Sequence, residues 1–270
     1  MPEQEDVQLV VPTRAERLDL LDISIRSILD QTYPVRVTVV APPAAQAMLR
    51  DRYGSAAKLD VTAERQKGLS AAINQAWRDD KWSSTVTGWL GDDDALPPDS
   101  VRHAVEALRT NPRAVMVHGR CLMIDQHGAP LWVARNGWLA GRLAGYGINL
   151  IAQPGCLFRT AAVKELDGLD ESLTYAMDVE LYARLRRLGP VASTRHQLGV
   201  FREHPDGLST AGKAAAAKEA RRAQRRVHRY TAARVADLAA VPLCSLIGRT
   251  TARLPWSASG YWRPARASRD

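Results

Sequence analysis

Between residues 7 and 90, short apolar runs alternate with stretches whose apolar residues recur at helical spacing, and few architectures accommodate that alternation. Val7–Val11 is β-branched and stops at Pro12, the pattern of a strand. Leu18, Leu21, Ile25 and Ile28 then trace one face of a helix that should end near Gln31, ahead of Tyr33-Pro34. Val35–Ala41 repeats the strand pattern, Ala44–Tyr53 reads as a helix closed by Gly54, and Leu59–Thr62 as a weaker strand. Leu69, Ile73 and Trp77 mark another helix, and Val86–Leu90 a fourth strand. Such alternation predicts an α/β fold with a mostly parallel sheet flanked by helices. In such sheets ligands gather at the carboxyl ends of the strands.

The fourth strand runs into "WLGDDDALPPDS" at residues 89–100, where Asp92, Asp93 and Asp94 stand side by side. Like charges this close disfavour one another's ionisation, so a cation from outside the chain is one way to accommodate them. Adjacent carboxylates on such a loop suit Mg²⁺ or Mn²⁺, hard ions that take oxygen ligands. The triplet alone fits a solvated, helix-capping turn equally well. Pro97-Pro98 ends the extended stretch, and Ser100 is placed to cap a helix with Val101, Val105 and Leu108 as its apolar stripe.

Beyond residue 110 the pattern changes. Ala114–Ile124 reads as a strand, residues 125–128 as a turn, and Leu131–Val133 as the returning strand. Residues 135–149, with four glycines and little periodicity, read as a mobile loop, and Ile151–Arg159 as another extended stretch. Met177, Leu181, Leu185 and Leu188 define a helix that ends at Gly189-Pro190.

The net charge of +8 belongs to one end. Residues 1–212 hold 24 Lys+Arg and 26 Asp+Glu, a balance of −2, whereas residues 213–270 hold 13 and 3, a balance of +10. A uniformly basic nucleic-acid binder does not look like this, and the tail's sparse aromatics form no stacking platform. Three scattered cysteines, Cys121, Cys156 and Cys244, fit neither a disulfide framework nor a zinc site and read as reduced structural thiols. The opening MPEQEDVQLVV is acidic, unlike a secretory signal, and no apolar run reaches membrane-spanning length. These features predict a cytoplasmic protein. Lys218, Arg222, Arg225, Arg226 and Arg229 share a helical face, and "VADLAAVPLCSLI" follows. That pairing reads either as attachment to an anionic membrane surface, at the inner face of the cell membrane, or as a helix packed on the body with its charges in water.

Four stretches resemble family-2 glycosyltransferases with the GT-A fold: "LVVPTRAERLDLLDISIRSILDQTYP", "ERQKGLSAAINQA", "WLGDDDALPPDSV" and "QPGCLFRTAAVKELDGLDESLTYAMDVELYARLRRLG". Their order and spacing carry the likeness, over about Val7 to Ser209. The resemblance implies a glycosyltransferase domain over residues 1–212, with a nucleotide-binding half (1–100) and an acceptor half (101–212), then a basic helical tail over 213–270. It implies an inverting enzyme in which Mn²⁺ or Mg²⁺ bridges the diphosphate of a UDP-, GDP- or dTDP-linked sugar, with a saccharide or lipid-linked acceptor, as in polysaccharide or glycolipid synthesis.

Carried onto this chain, Asp92 and Asp94 are the ends of the family's Asp-x-Asp, with Asp94 the expected direct metal ligand, Asp92 a metal or ribose contact, and Asp93 open to either role. Asp178 takes the place of the catalytic base, expected to stay ionised at its helix start, with Glu180 in reserve; simple capping is the alternative. His204 is a candidate third metal ligand or a solvated histidine, and Arg202 a candidate phosphate contact. Pro12, Thr13, Arg14, Arg65, Gln66, Lys67, Gly68 and Asn74 fall where the donor should lie, Gly68 for close backbone approach. Asn74 also fits an ordinary exposed position, and Asp170 and Glu171 should shape the loop before Asp178. The chain departs from the family after the second strand, where Ala41-Pro42-Pro43 replaces the usual acid, and at Gln66, which replaces another. Base and ribose recognition is therefore expected through Gln66 or backbone groups. A nucleotidyltransferase shares this layout but needs a Gly-rich basic loop where "VVPTRAERLD" stands. A non-catalytic nucleotide- or nucleic-acid-binding protein would have dispensable carboxylates.

Overall fold

The computed structural model describes residues 4–135, 137–145, 150–204, 218–220 and 222. The first half is realised element by element: β1 (Val7–Pro12), β2 (Arg36–Ala41), β3 (Leu59–Ala63) and β4 (Val86–Trp89) are joined in order by α1 (Leu18–Leu29), α2 (Pro43–Tyr53) and α3 (Leu69–Asp79). Then come α4 (Ser100–Thr110), β5 (Met116–Ile124), β6 (Pro130–Ala134), α5 (Gly137–Ala144), β7 (Leu157–Arg159), α6 (Thr160–Glu165), α7 (Met177–Leu188) and β8 (Val191–Arg202).

The eight strands form one sheet in the order β3-β2-β1-β4-β7-β5, with β8 along the far edge of β5 and β6 continuing along the edge that β7 vacates. β1 pairs in parallel with β2 and β4, β2 with β3, and β5 with β8, whereas β7 runs antiparallel to both β4 and β5. Two reversals across β7 restore the direction. β1, β4, β5 and β8 therefore all end at one edge of the sheet, which brings the acids after β4 beside the end of β8.

Both faces of the sheet are buried, as a helix-flanked parallel sheet requires. Val7, Leu9 and Val11 face α1 and α4 through Leu21, Ile25, Ile28, Val101 and Leu108. Val10 and Val40 face α3 and α7 through Ile73, Trp77, Leu181 and Leu185. Each such fully buried side chain contributes about 1.5–3 kcal/mol. An aromatic file ties α7 to the nucleotide-binding half: Trp77 meets Trp89 edge-on at 6.0 Å, Trp89 stacks on Phe158 at 5.4 Å, and Phe158 lies 6.1 Å from Tyr182.

Several local expectations change. Gly54 has φ −65° and its amide donates to the Arg50 carbonyl at 2.7 Å, so α2 closes in a right-handed turn. Ser100 is the first residue of α4, not its cap, because its hydroxyl donates to the Leu198 carbonyl instead. Within 135–149, residues 137–144 form α5, whose Ala140, Gly141 and Ala144 are buried, so packing overrides the glycines. The stretch from Ile151 is a strand only from Leu157. Cys121 and Cys156 are free and buried, as expected of structural thiols, while Cys244 lies outside the described residues. So does almost all of the basic tail. Among the described residues no helix is long and apolar enough to cross a membrane.

Candidate active site

The acid loop is braced from three sides. The Ser24 hydroxyl of α1 reaches the Gly91 and Asp94 carbonyls. Ala95 and Val200 exchange backbone hydrogen bonds of 3.1 and 2.8 Å. Arg202, itself buried, donates from its amide to Asp94 Oδ1 at 3.0 Å and from Nε to the Asp93 carbonyl at 3.1 Å. Asp94 thus points inward and is only 5% exposed. Gly91 leaves room for the two carboxylates, since a Cβ there would lie 2.8 Å from Asp94 Oδ2 and 3.1 Å from Asp93 Oδ1.

Asp92 and Asp93 point the other way, towards the loop after β1. The Thr13 hydroxyl donates to Asp92 Oδ2 at 2.6 Å and accepts from the Ala15 amide at 2.9 Å, a turn that puts Ala15 at φ 59°. Arg17 Nη2 lies 3.1 Å from Asp93 Oδ2 and 3.5 Å from Asp92 Oδ1. His204 Nε2 lies 2.7 Å from Asp93 Oδ2 and 2.7 Å from Arg17 Nη1. One ring nitrogen cannot both donate to the carboxylate and accept from the guanidinium. Asp92 and Asp93 thus meet one edge of the Arg17 guanidinium and His204 the other, with His204 also bridging to Asp93.

Burial pushes the Asp94 carboxyl well above the usual carboxylate range, with the charges of Asp93 and Asp92 adding to it. Asp92 is raised too, by burial first, against the pull of the Thr13 hydroxyl. The three adjacent acids coexist because one is driven towards its neutral form and the others share a cation.

Asp178 lies in the first turn of α7. Its Oδ1 accepts from the Val179 amide at 2.8 Å, but burial dominates and pushes its pKa up to about 6. At neutral pH it still carries its charge, although desolvation works against the helix start. It is close enough to Cys156 and Tyr182 for its charge to raise both of theirs. The Cys156 segment runs beside the end of β4, where Gln153 Nε2 donates to the Trp89 carbonyl at 2.8 Å. Glu180, by contrast, is committed to Arg184, with two contacts of 2.7 Å, and Arg184 also donates to the Leu166 and Gly168 carbonyls.

The family model "Glycosyl transferase family 2" matches residues 8–166, more than half of the chain. The chain belongs to glycosyl transferase family 2. It is 24% identical over 143 residues, 53% of its length, to a chondroitin synthase of Escherichia coli, of which it spans only 20%. Its GT-A fold is shared with S. aureus TarS 1–349 in complex with UDP-GlcNAc (TM-score 0.61, 15% identity, 76% of this chain and 61% of that one). It is shared also with the mannosyltransferase PcManGT of Pyrobaculum calidifontis in complex with GDP-Man and Mn²⁺ (TM-score 0.60, 16% identity, 94% and 77%).

The remaining candidates of this family-2 chain divide. Thr13 joins the cluster and Pro12 leads into it, whereas Arg14 is exposed beside Glu16. Gln66, Lys67 and Gly68 are exposed after β3, at the same sheet edge. Gly68 has φ 126°, a conformation that favours glycine, with open space where a Cβ would stand. Arg65 is directed to Asp79 at 2.7 Å. Asn74 is fully buried: Nδ2 donates to the Leu169 carbonyl and to Glu171, Oδ1 accepts from the Leu169 amide, and each distance is 2.9 Å. It braces the loop before α7, with both of its amide N–H groups and its oxygen engaged in that loop. Asp170 caps its own turn through Ser172, as expected of a loop-shaping acid. Among the described residues no three His, Cys, Asp or Glu side chains form a ready-made metal cage. Two participants escaped the sequence reading. Arg17 carries no local signal beyond being basic after a strand, and Glu219 meets α7 from a distant segment.

Proposed function

We propose that the chain is a metal-dependent, inverting glycosyltransferase that moves a sugar from a UDP-, GDP- or dTDP-linked donor to a hydroxyl of a saccharide or lipid-linked acceptor. The observation that carries the reading is the gathering of Asp92, Asp93 and His204 around the Arg17 guanidinium at the strand ends, which among the described residues forms no closed cage and leaves an ion to be completed by the donor diphosphate. Two carboxylates and an imidazole suit Mn²⁺ or Mg²⁺ in the way such ions are often held, by a few protein groups with substrate phosphates completing the shell. The bound ion would supply Lewis-acid stabilisation of the leaving diphosphate. Asp93 and His204 are the groups to hold it directly, with Asp92 beside them. Asp94, first expected in that role, is turned inward and serves the loop through Arg202. Arg17, 40% exposed along its side chain, is free to swing towards the diphosphate.

Asp178 is the base in this reading. It takes the proton of the acceptor hydroxyl as that oxygen bonds to the anomeric carbon and the sugar–phosphate bond breaks, its electron pair leaving with the nucleotide diphosphate. A carboxylate with a pKa of about 6 is charged at neutral pH yet more basic than an exposed one, which suits general-base work. The bound UDP-GlcNAc of TarS and GDP-Man of PcManGT support the donor class without choosing the nucleotide. The test is release of nucleotide diphosphate from a panel of UDP-, GDP- and dTDP-sugars, with Mn²⁺ and with a chelator. Metal-dependent release from one nucleotide class supports the proposal, and release from none, or release indifferent to chelation, refutes it.

We infer peripheral attachment to anionic membranes through the tail as the second part of the reading. Lys218 and Arg222, one turn apart, are exposed while Glu219 between them turns inward. Each such base near anionic lipid contributes about 1 kcal/mol. Liposome sedimentation should compare the full chain with one in which Lys218, Arg222, Arg225, Arg226 and Arg229 are replaced by Gln. Equal pelleting of the two, or none of the native chain, contradicts attachment.

A further inference from the structure

Glu219 is one of only three acids in residues 213–270, a segment with 13 Lys and Arg. It does not pair with any of those bases among the described residues. Its carboxylate instead accepts three successive backbone amides ahead of α7: Oε1 takes the Thr174 N–H at 2.9 Å, and Oε2 takes the N–H groups of Tyr175 and Ala176, the latter at 2.8 Å. Ala176 is the cap residue of α7 and offers no side-chain acceptor of its own. A carboxylate supplied from another segment therefore does what a Ser or Asp cap does locally, and its charge complements the helix end. Asp178 lies two residues beyond the last of these amides. The other side of the same loop is fixed by Asn74 through Leu169 and Glu171, and by the Ser70 hydroxyl, which donates to the Leu173 carbonyl at 3.2 Å.

We propose that Glu219 is a positioning residue for sugar transfer, pinning the Thr174–Ala176 backbone so that Asp178 is held in the geometry the acceptor hydroxyl needs. The proposal rests on the reading of Asp178 as the base. It makes the start of the C-terminal segment part of the acceptor half, not an appendage, so removing residues 213–270 would strip both the basic face and the clamp on α7. Misplacement of a reacting group by an ångström is enough to lose up to about a hundredfold in rate.

The test uses the full chain and the variants Glu219→Ala, Glu219→Gln and Asp178→Asn. Calorimetry gives nucleotide affinity with Mn²⁺, steady-state kinetics give acceptor and donor constants, and hydrogen exchange reports the Thr174–Ala176 amides. Glu219→Ala should expose those amides and lower kcat by about tenfold to a hundredfold, with donor affinity unchanged. Glu219→Gln keeps one oxygen acceptor and should fall between Ala and the native chain, and it decides the matter if the Ala variant fails to fold. Turnover within twofold of native in both variants overturns the proposal, as does a loss that falls equally on donor affinity. If Asp178→Asn itself keeps full turnover, the assignment of the base fails instead, whatever Glu219 does.

Discussion

Replacing Asp178 by Asn should stabilise the protein while removing its activity, and the size of the first effect follows from burial. Burial raises the carboxyl from 3.8 to about 6, and each tenfold change in acidity corresponds to about 1.4 kcal/mol. The sign is fixed by linkage. Between about pH 4 and 6 the unfolded chain has lost this proton and the folded chain retains it, so native stability falls as pH rises through that window. Above pH 6 the folded protein carries the full penalty, at most about 3 kcal/mol. Asn keeps the shape and the acceptor for the Val179 amide but has no proton to lose. The difference in unfolding free energy between variant and native chain should therefore be small at pH 4, grow to about pH 6, and stay level at pH 7 and 8. Urea unfolding at those pH values measures it. Nucleotide release in the presence of acceptor should fall by at least about a hundredfold in the variant, and the native rate should rise with pH through about 6. A stability difference that does not change with pH would refute the burial argument, and turnover within a few-fold of native would refute the assignment of the base.

Other substitutions separate scaffolding from chemistry. Asn74→Ala strands the Leu169 amide and carbonyl and should cost at least about 2 kcal/mol of stability, while nucleotide affinity of the folded fraction, followed by calorimetry, stays native; a selective loss of nucleotide binding would return Asn74 to the donor site. Gly91→Ala pushes a methyl into the Asp93 and Asp94 carboxylates and should weaken Mn²⁺-dependent nucleotide binding at least tenfold, with a stability cost of about 1–3 kcal/mol; unchanged affinity would show that the loop yields freely. Glu180→Ala leaves Arg184 without its carboxylate and should lower stability by about 3 kcal/mol, and native stability there would reopen Glu180 as a candidate base.

The first four strands and their helices were legible because each helix keeps its apolar residues on one stripe and each strand is a short, nearly continuous apolar run. β8 was not, because Val191–Arg202 mixes Ser, Thr, Arg, His and Gln with its apolar residues, and its pairing partner β5 lies some seventy residues earlier. α5 was hidden by its glycines, and the close fit of Gly141 against Val191 appears only once β8 is in place. In the site, the acid triplet could be picked out because it follows a strand end, and Asp178 and His204 because the resemblance to family 2 marks them. Which acid turns outward could not, since the direction of Asp94 is set by the Arg202 amide more than a hundred residues away. Arg17 and Glu219 owe their places entirely to such long-range approach. The raised pKa of Asp178 was hidden for a related reason: a helix start is visible in sequence, whereas the desolvation that opposes it is not.

The central claim is that Asp93 and His204, not Asp94, hold the ion that binds the donor diphosphate. Thermal unfolding with UDP, GDP or dTDP, each with and without Mn²⁺, tests it on the native chain and on Asp93→Asn, His204→Ala and Asp94→Asn. A nucleotide at a hundred times its Kd stabilises by about 2.7 kcal/mol. A rise of that order is expected for one nucleotide only with Mn²⁺, lost in Asp93→Asn, reduced in His204→Ala and retained in Asp94→Asn, each measured against the same variant without nucleotide. No metal-dependent rise with any nucleotide, or an undiminished rise in Asp93→Asn, would contradict it.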